Sequence, residues 1–493
     1  LALALAASTA RGQNADLGDL GLRTGQQTVP PDALSPPGQT TDQAVSREAK
    51  PTKSKKASAR LPPLQHYRGA ERLGLRGGAP ESEPGPSGEA PQPGPTIAAI
   101  PAPPPLRKIP VEEKPYDPLG VRVGDLDLKP YIEEDVGWAS NPFLIPGAVK
   151  GSAFDTTEVG GSLQSDWSRS DVHGDLKAGY TDYFTERQAS APYASSTLGG
   201  RYDISKDLSL DAEGRFNLSE QNQSSLGLVS TTNANNVVLT QVTTYGATAG
   251  GAQKFGDFTL ALHGTFDRLI YQDVVLPGVG DLAMDDYNDW GLLVRASYRL
   301  SEAVSPFVEL GVDKRIYDSV TDADGYERDS IGGTGKVGAT LSFSKMLNGE
   351  MSIGYGAREY QDPRLPNASA PLLNGSLIWS LTPLTTVTLK AQSALADAVI
   401  AGDSADVTHS YAIDVSHALT RQITLSASAG YATDRYIGAS LRDSTTTLAL
   451  KAEYHLTRDV VLKASATHEQ YVSSAPNSNY TADIFLLGVR LQR

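Results

Sequence analysis

The chain has 493 residues, of which 39% are hydrophobic and 20% charged, with a formal net charge of −14 and no cysteine. The acidic balance excludes a nucleic-acid binder, which needs clustered positive charge, and without cysteine there are no disulfides. Beyond the first residues no stretch approaches the 18 or so apolar residues of a helical span, so a membrane protein of this composition has to cross as a β-barrel.

The opening LALALAASTARGQ reads as the end of a secretory signal, residues 1–12, with Ala10 and Gly12 before a cut at Gln13. Residues 13–118 form a proline-rich tail. Of the 31 prolines, 20 lie at or before Pro118, where Tyr67 and Tyr116 are the only aromatic side chains. Such a segment cannot bury enough apolar surface to offset chain entropy, so a disordered periplasmic tail is expected. Extended at roughly 3.1 Å per residue it reaches on the order of 100 Å or more. Its basic run KPTKSKKASAR (Lys50 to Arg60) is a solvated segment or a contact for an acidic polymer. The tail has 14 Lys+Arg against 12 Asp+Glu, so the acidity belongs to residues 119–493.

From about Leu128 the hydrophobic period is two. One unit recurs: DISKDLSLDAEGRF, RLSEAVSPFVELGV, SLTPLTTVTLKAQS, ALTRQITLSASAGY and HLTRDVVLKASATH. Each is an alternating strand, a tight polar turn and another alternating strand. The pattern predicts strands at 127–138, 156–168, 171–183, 193–204, 207–218, 238–252, 257–270, 287–300, 304–317, 331–344, 349–360, 372–380, 384–395, 406–419, 422–434, 443–456, 460–471 and 481–493. The expected fold is all-β: a transmembrane antiparallel up-and-down β-barrel of about 18 strands, with 16 as the alternative.

The connections alternate strictly. Short turns fall near Arg169, Lys206, Gly256, Glu302, Leu347, Thr382, Arg421 and Arg458. Longer polar loops such as SEQNQSSLGLVSTTNANN, QDVVLPGVGDLAMDD, DSVTDADGYERD and QDPRLPNASAP lie between them. Outer-membrane barrels sort their loops in this way, with short periplasmic turns and long external loops. That predicts a bacterial outer-membrane location with both the tail and the C-terminus in the periplasm. Tyr183, Tyr202, Tyr271, Tyr287, Tyr317, Tyr360, Tyr436 and Tyr471 fall at strand ends and are expected at the lipid headgroup boundary. The last strand, DIFLLGVRLQR, is similar to the targeting strand of outer-membrane proteins that the barrel-assembly machinery reads, but it ends in Arg493 rather than an aromatic residue.

Two further segments, YIEEDVGWASNP (Tyr131 to Pro142) and EVGGSLQSDWSRSDVHGDLKAGYTDYF (Glu158 to Phe184), carry a family resemblance. From about Lys129 to Arg493 the chain resembles the outer-membrane beta-barrel porin type 2 family. The resemblance implies an outer-membrane barrel with no established catalytic residues, and so no enzyme.

A closed barrel of this width encloses water, and residues opposite the apolar face should line it. The pore-lining candidates are His173, Asp175 and Lys177; Asp211, Glu213 and Arg215; His263 and Asp267; Arg295 and Arg299; Glu309, Asp313 and Arg315; Lys451 and Glu453. Charges of both signs at similar depth either form a transverse field that filters solutes or pair across strands in a wet wall. The seven histidines are scattered without metal-ligand spacing, His409, His417 and His468 falling on the lipid face. DADGYERD (Asp322 to Asp329) lacks the spacing of a calcium loop and reads as an acidic external loop. No metal or cofactor is expected. Expected partners are outer-membrane lipid and lipopolysaccharide, the barrel-assembly machinery, and peptidoglycan or a periplasmic protein through the tail.

The functional expectation is a porin-like passive channel for small hydrophilic solutes. The alternatives are a structural tether to the cell wall through the tail, an exopolysaccharide export conduit, and, weakest, an outer-membrane enzyme.

Overall fold

The computed structural model describes residues 116–493 except 148–149, 222–239, 273–274, 277–279, 282–285, 323–324, 344–345 and 398–402. The signal segment and nearly all of the proline-rich tail lie outside the described residues, as does most of the longest predicted loop.

Eighteen long strands close into one antiparallel barrel. In chain order they are β1 (Leu126–Ala139), β2 (Ser152–Ser165), β3 (Ser170–Tyr183), β4 (Ala191–Asp203), β5 (Leu208–Gln221), β6 (Thr240–Phe255), β7 (Phe258–Tyr271), β8 (Tyr287–Tyr298), β9 (Val304–Tyr317), β10 (Ser330–Phe343), β11 (Leu347–Tyr360), β12 (Ala368–Thr382), β13 (Thr385–Asp397), β14 (Ala405–Ala418), β15 (Ile423–Ile437), β16 (Arg442–His455), β17 (Val460–Ser473) and β18 (Tyr480–Gln492). Each pairs with its neighbours in sequence, and β18 returns to β1 from Tyr131↔Gln492 to Ala139↔Ile484. A short strand, Val121–Val123, doubles back on the start of β1. The expected strand count and order hold, and β2 begins four residues before its predicted start.

The two-residue period turns the usual burial inside out. On β9, Val308, Leu310 and Val312 face outward, nearly 60% exposed at Leu310, while Glu309, Asp313 and Arg315 on the opposite face are buried. Such a surface is stable only against hydrocarbon, where the ladder satisfies every backbone polar group.

The recurring L-[S/T] unit has a local cause. In four short turns the hydroxyl oxygen of Ser205, Ser301, Thr420 or Thr457 accepts backbone N–H groups two and three residues ahead, at 2.9–3.2 Å. The hydroxyl side chain fixes the hairpin by mimicking a backbone acceptor. A two-residue turn joins β6 to β7 through Gly256 and Asp257, with Gly256 at φ +66°, a conformation that glycine adopts without strain.

One seam departs from regularity. Pairing between β12 and β13 runs from Thr382↔Thr385 only as far as Gly375↔Ala391. Above that point β12 stays paired with β11 up to Ala368, and β13 with β14 out to Asp397↔Ala405. Where the ladder ends, the Asn374 side-chain oxygen accepts the Ser393 N–H at 3.2 Å. Pro371, which has no N–H to donate, occupies this free stretch of β12, a position suited to a local sheet edge.

Candidate functional site

The inner wall is a lattice of ion pairs. Its members come from alternate positions on one strand or on strands up to three apart. Glu133 on β1 is buried between Lys463 on β17 (2.5 Å) and Arg490 on β18 (2.7 Å), tying the ends of the chain together where the barrel closes. Arg490 also lies over the Tyr131 ring, 4.3 Å from its centroid. Beside this group Glu158 accepts the hydroxyls of Tyr131 (2.7 Å) and Tyr193 (2.8 Å).

Further round the wall, His263 Nε2 lies 2.7 Å from Asp211, and Arg215 bonds Asp267 at 2.7 Å and Thr248 at 2.7 Å. Arg295 on β8 clasps Glu350 on β11 with both terminal nitrogens, at 3.0 and 2.5 Å, and stacks on Phe307 with 3.6 Å to the ring centroid. Glu309 sits between Arg295 (3.7 Å) and Lys336 (3.4 Å). Nearer the long loops, Arg315 bonds Asp289 at 2.9 Å and Arg358 bonds Asp313, whereas Lys451 pairs with Glu453 towards the short-turn end of β16.

Above the seam, the end of β13 tucks beneath the inner face of β11 and β12. A Cβ at Gly356 would lie 3.0 Å from Leu395 Cδ1 and 3.2 Å from Leu372 Cδ1, so the glycine is the notch that receives Leu395. On the lumen side Arg315 Nη2 reaches the Leu395 carbonyl at 3.4 Å, and Arg328 Nη1 bonds the Asp403 carbonyl at 3.0 Å. Ala394, Ala396, Ala405 and Val407 are buried as a result. The β13–β14 pair therefore leans into the lumen at the long-loop end.

The loops above this hairpin form a second clamp. Arg328 bonds Asp322 at 2.6 Å; Arg364 bonds Asp362 at 2.9 Å and lies over the Tyr326 ring, 4.5 Å from its centroid. Asp362 is held well below the usual carboxylate range, chiefly by its hydrogen bond from Arg364. Asp403 is pushed up to about 6 by burial.

A barrel that shows lipid a belt of Leu, Val and aromatic side chains, and encloses paired charges, has the architecture of an outer-membrane barrel. The family model described as "Putative beta-barrel porin 2" matches residues 114–493. The chain belongs to that family. No curated protein matches it. Among solved structures, OpdK from Pseudomonas aeruginosa is 11% identical over 74% of this chain and 99% of its own, with a TM-score of 0.39. OccK9 (OpdG) of the same organism is 13% identical over 75% and 99%, at 0.40. A BenF-like porin from Pseudomonas fluorescens Pf-5 is 9% identical over 75% and 100%, at 0.39.

For this family member the predicted inner-face residues fall as follows. Asp211, Glu213, Arg215, His263, Asp267, Arg295, Glu309, Asp313, Arg315, Lys451 and Glu453 all point inward, and most are buried in the pairs above. His173, paired with Asp171 at 2.9 Å, and Asp175 and Lys177 lie half-buried on the inner face of β3. Arg299 lies apart from these. β8 ends at Tyr298, so Arg299 sits in the short turn, about half-exposed and 3.9 Å from Asp257.

The tyrosine expectation also fails in detail. Tyr183, Tyr271, Tyr287, Tyr317, Tyr436 and Tyr471 are buried on the inner face, Tyr360 points inward as well, and Tyr202 alone of the eight is exposed. Tyr287 and Tyr317 pack at 5.1 Å, and Tyr471 stacks on Tyr480 at 5.1 Å. The phase was available in the sequence, since Tyr183 is an even number of residues from Lys177. The residues sequence reasoning missed, among them Glu133, Glu158, Asp289, Glu350, Arg358, Lys463 and Arg490, obey the same alternation. Their partners lie on other strands, from the adjacent one (Asp289 with Arg315) to three away (Glu350 with Arg295), which a one-strand pattern does not reveal.

Proposed function

We propose that this barrel is a passive channel for small hydrophilic solutes in the bacterial outer membrane, with its short turns, N-terminal tail and C-terminus on the periplasmic side. The observation that carries this reading is the charged inner wall. In a barrel that only anchors a tail such pairs would serve stability alone, whereas in a conduit they also present alternating donors and acceptors to a polar solute. The leaning β13–β14 hairpin then sets the narrowest point at the external end. The chemistry asked of the site is passage, with no reacting group.

Reconstitution of the full chain into planar bilayers tests the reading. Stepwise conductance that saturates with solute concentration is expected. A preparation that inserts, as judged by protease protection, yet carries no current at any voltage would sink the channel.

A further inference from the structure

On the outer face, near the long loops, two like charges stand side by side. Arg435 on β15 is directly opposite Arg442 on β16. Across the same ladder Tyr436 donates its N–H to the Leu441 carbonyl at 3.3 Å. Arg435 and Arg442 are therefore a pair without mutual backbone bonds, the arrangement that brings Cα atoms to about 4.5 Å and side chains closest. Both are exposed, and among the described residues no carboxylate pairs with either guanidinium. Asp434 and Asp443, their neighbours in sequence, are buried on the inner face. To the sides, Val407 opposite Arg435 and Ser474 beside Arg442 carry no charge. Like charges directly opposite on one face destabilise a sheet, and an anion held between them removes that cost. The β15–β16 connection is only the four residues 438–441, so the arginines stand close to the rim of the barrel.

The surface beneath them is layered. One row down, Thr433 and Ser444 face each other. In the next row Tyr411 faces Tyr431, both exposed, and below them Leu448 and Leu450 are exposed towards the hydrocarbon. Tyr431 is four residues from Arg435, about 13 Å along the strand.

We propose that Arg435 and Arg442 bind a phosphate on the headgroup of an anionic glycolipid of the outer leaflet. The order from rim to hydrocarbon matches such a molecule group by group. Guanidinium forks take the phosphate oxygens, hydroxyls meet the sugar, tyrosines sit at the headgroup boundary, and aliphatic side chains lie against the acyl chains. A free phosphate uses only the first of these layers. The assignment to the outer leaflet rests on the channel reading, which puts the long loops outside the cell. Binding to the purified barrel does not depend on conduction.

The experiment titrates diphosphoryl lipid A into the full chain in detergent and reads the adducts by native mass spectrometry, with dephosphorylated lipid A and inorganic phosphate as parallel probes. A saturable adduct is expected with diphosphoryl lipid A. It should be at least about tenfold weaker in the Arg435→Gln/Arg442→Gln variant, the scale of one lost charge-assisted hydrogen bond. Lys314→Gln, which removes an exposed outward cation on β9, should leave the affinity unchanged. The double variant loses a repulsion, so the temperature at which its barrel opens in detergent should not fall. Lipid A should raise that temperature in the wild type and not in the variant. Equal affinity in the double variant overturns the proposal, as does binding that is indifferent to the lipid's phosphates. Inorganic phosphate bound as tightly as lipid A would remove the glycolipid. Arginine-sensitive dimers in place of lipid A adducts would overturn the proposal in favour of a second copy, whose outer face carries Asp155 opposite Asp182. Arginine-sensitive adducts on a barrel that carries no current would keep the site and remove the channel.

Discussion

The guanidinium of Arg315 on β9 passes beneath β10, β11 and β12 to reach the backbone carbonyl of Leu395 on β13, 3.4 Å from Nη2. It can do so only because β13 has left the wall above Ala391. Arg315 is almost fully buried and holds Asp289 at the same time, so the hairpin's position is tied to the charge lattice.

Arg315→Met should therefore loosen the hairpin. A hydrogen bond from a charged group contributes about 1.5–3 kcal/mol, so the leaning state should lose roughly tenfold or more against alternatives. Single-channel recording should show a larger or more frequent high-conductance level. Traces indistinguishable from wild type would mean that the hairpin does not narrow the path.

Gly356→Val attacks the same contact from the other side. The added side chain meets Leu395 and Leu372 at 3.0–3.2 Å from its first carbon. Over-packing of this kind costs about 1–3 kcal/mol. The variant should raise conductance as the hairpin is expelled, and Leu395→Ala introduced with it should relieve the strain and restore thermal stability.

Glu133 is the counter-charge to Lys463 and Arg490 where β17, β18 and β1 meet. Glu133→Gln removes the carboxylate that these two buried cations share, a loss of roughly 3–5 kcal/mol for such a pair. Glu133→Met combined with Lys463→Met should be less damaging than Glu133→Gln alone. The temperature at which the folded barrel opens in detergent measures both.

Two loop carboxylates should give stability of opposite pH sense. Asp362 is depressed by Arg364, so its contribution is present above its ordinary value of ~4 and lost only as pH falls through the lower folded value. Arg364→Gln should therefore lower stability near neutral pH and have little effect in strong acid. Asp403 is raised to about 6 by burial, so the folded state prefers its protonated form and its contribution fades as pH climbs from ~4 to about 6. Asp403→Asn should then stabilise the protein at pH ~8 and leave it unchanged at pH ~4. Thermal unfolding across this range tests both signs.

Arg295 and Arg299 should separate in ion selectivity. Arg295 is buried on the inner face between Glu309 and Glu350, whereas Arg299 is in an exposed turn. Arg295→Gln frees Glu350 and leaves Glu309 with Lys336 alone, and should move the reversal potential towards cations. Arg299→Gln should move it far less.

The sequence alone determined the wall. Strict alternation, as in Val308, Leu310 and Val312 against Glu309, Asp313 and Arg315, fixes which side chains face lipid, because neighbours on a strand must point oppositely. The hydroxyls of Ser205, Ser301, Thr420 and Thr457 fix the short turns through contacts two or three residues away. Tertiary structure decided what happens inside. Glu133 and Lys463 meet only when the chain's ends close, Leu395 finds Gly356 only because a ladder stops at Gly375, and the strand-end tyrosines turn inward with their strand's phase. These relations span tens to hundreds of residues and depend on barrel curvature, which is a property of all eighteen strands together.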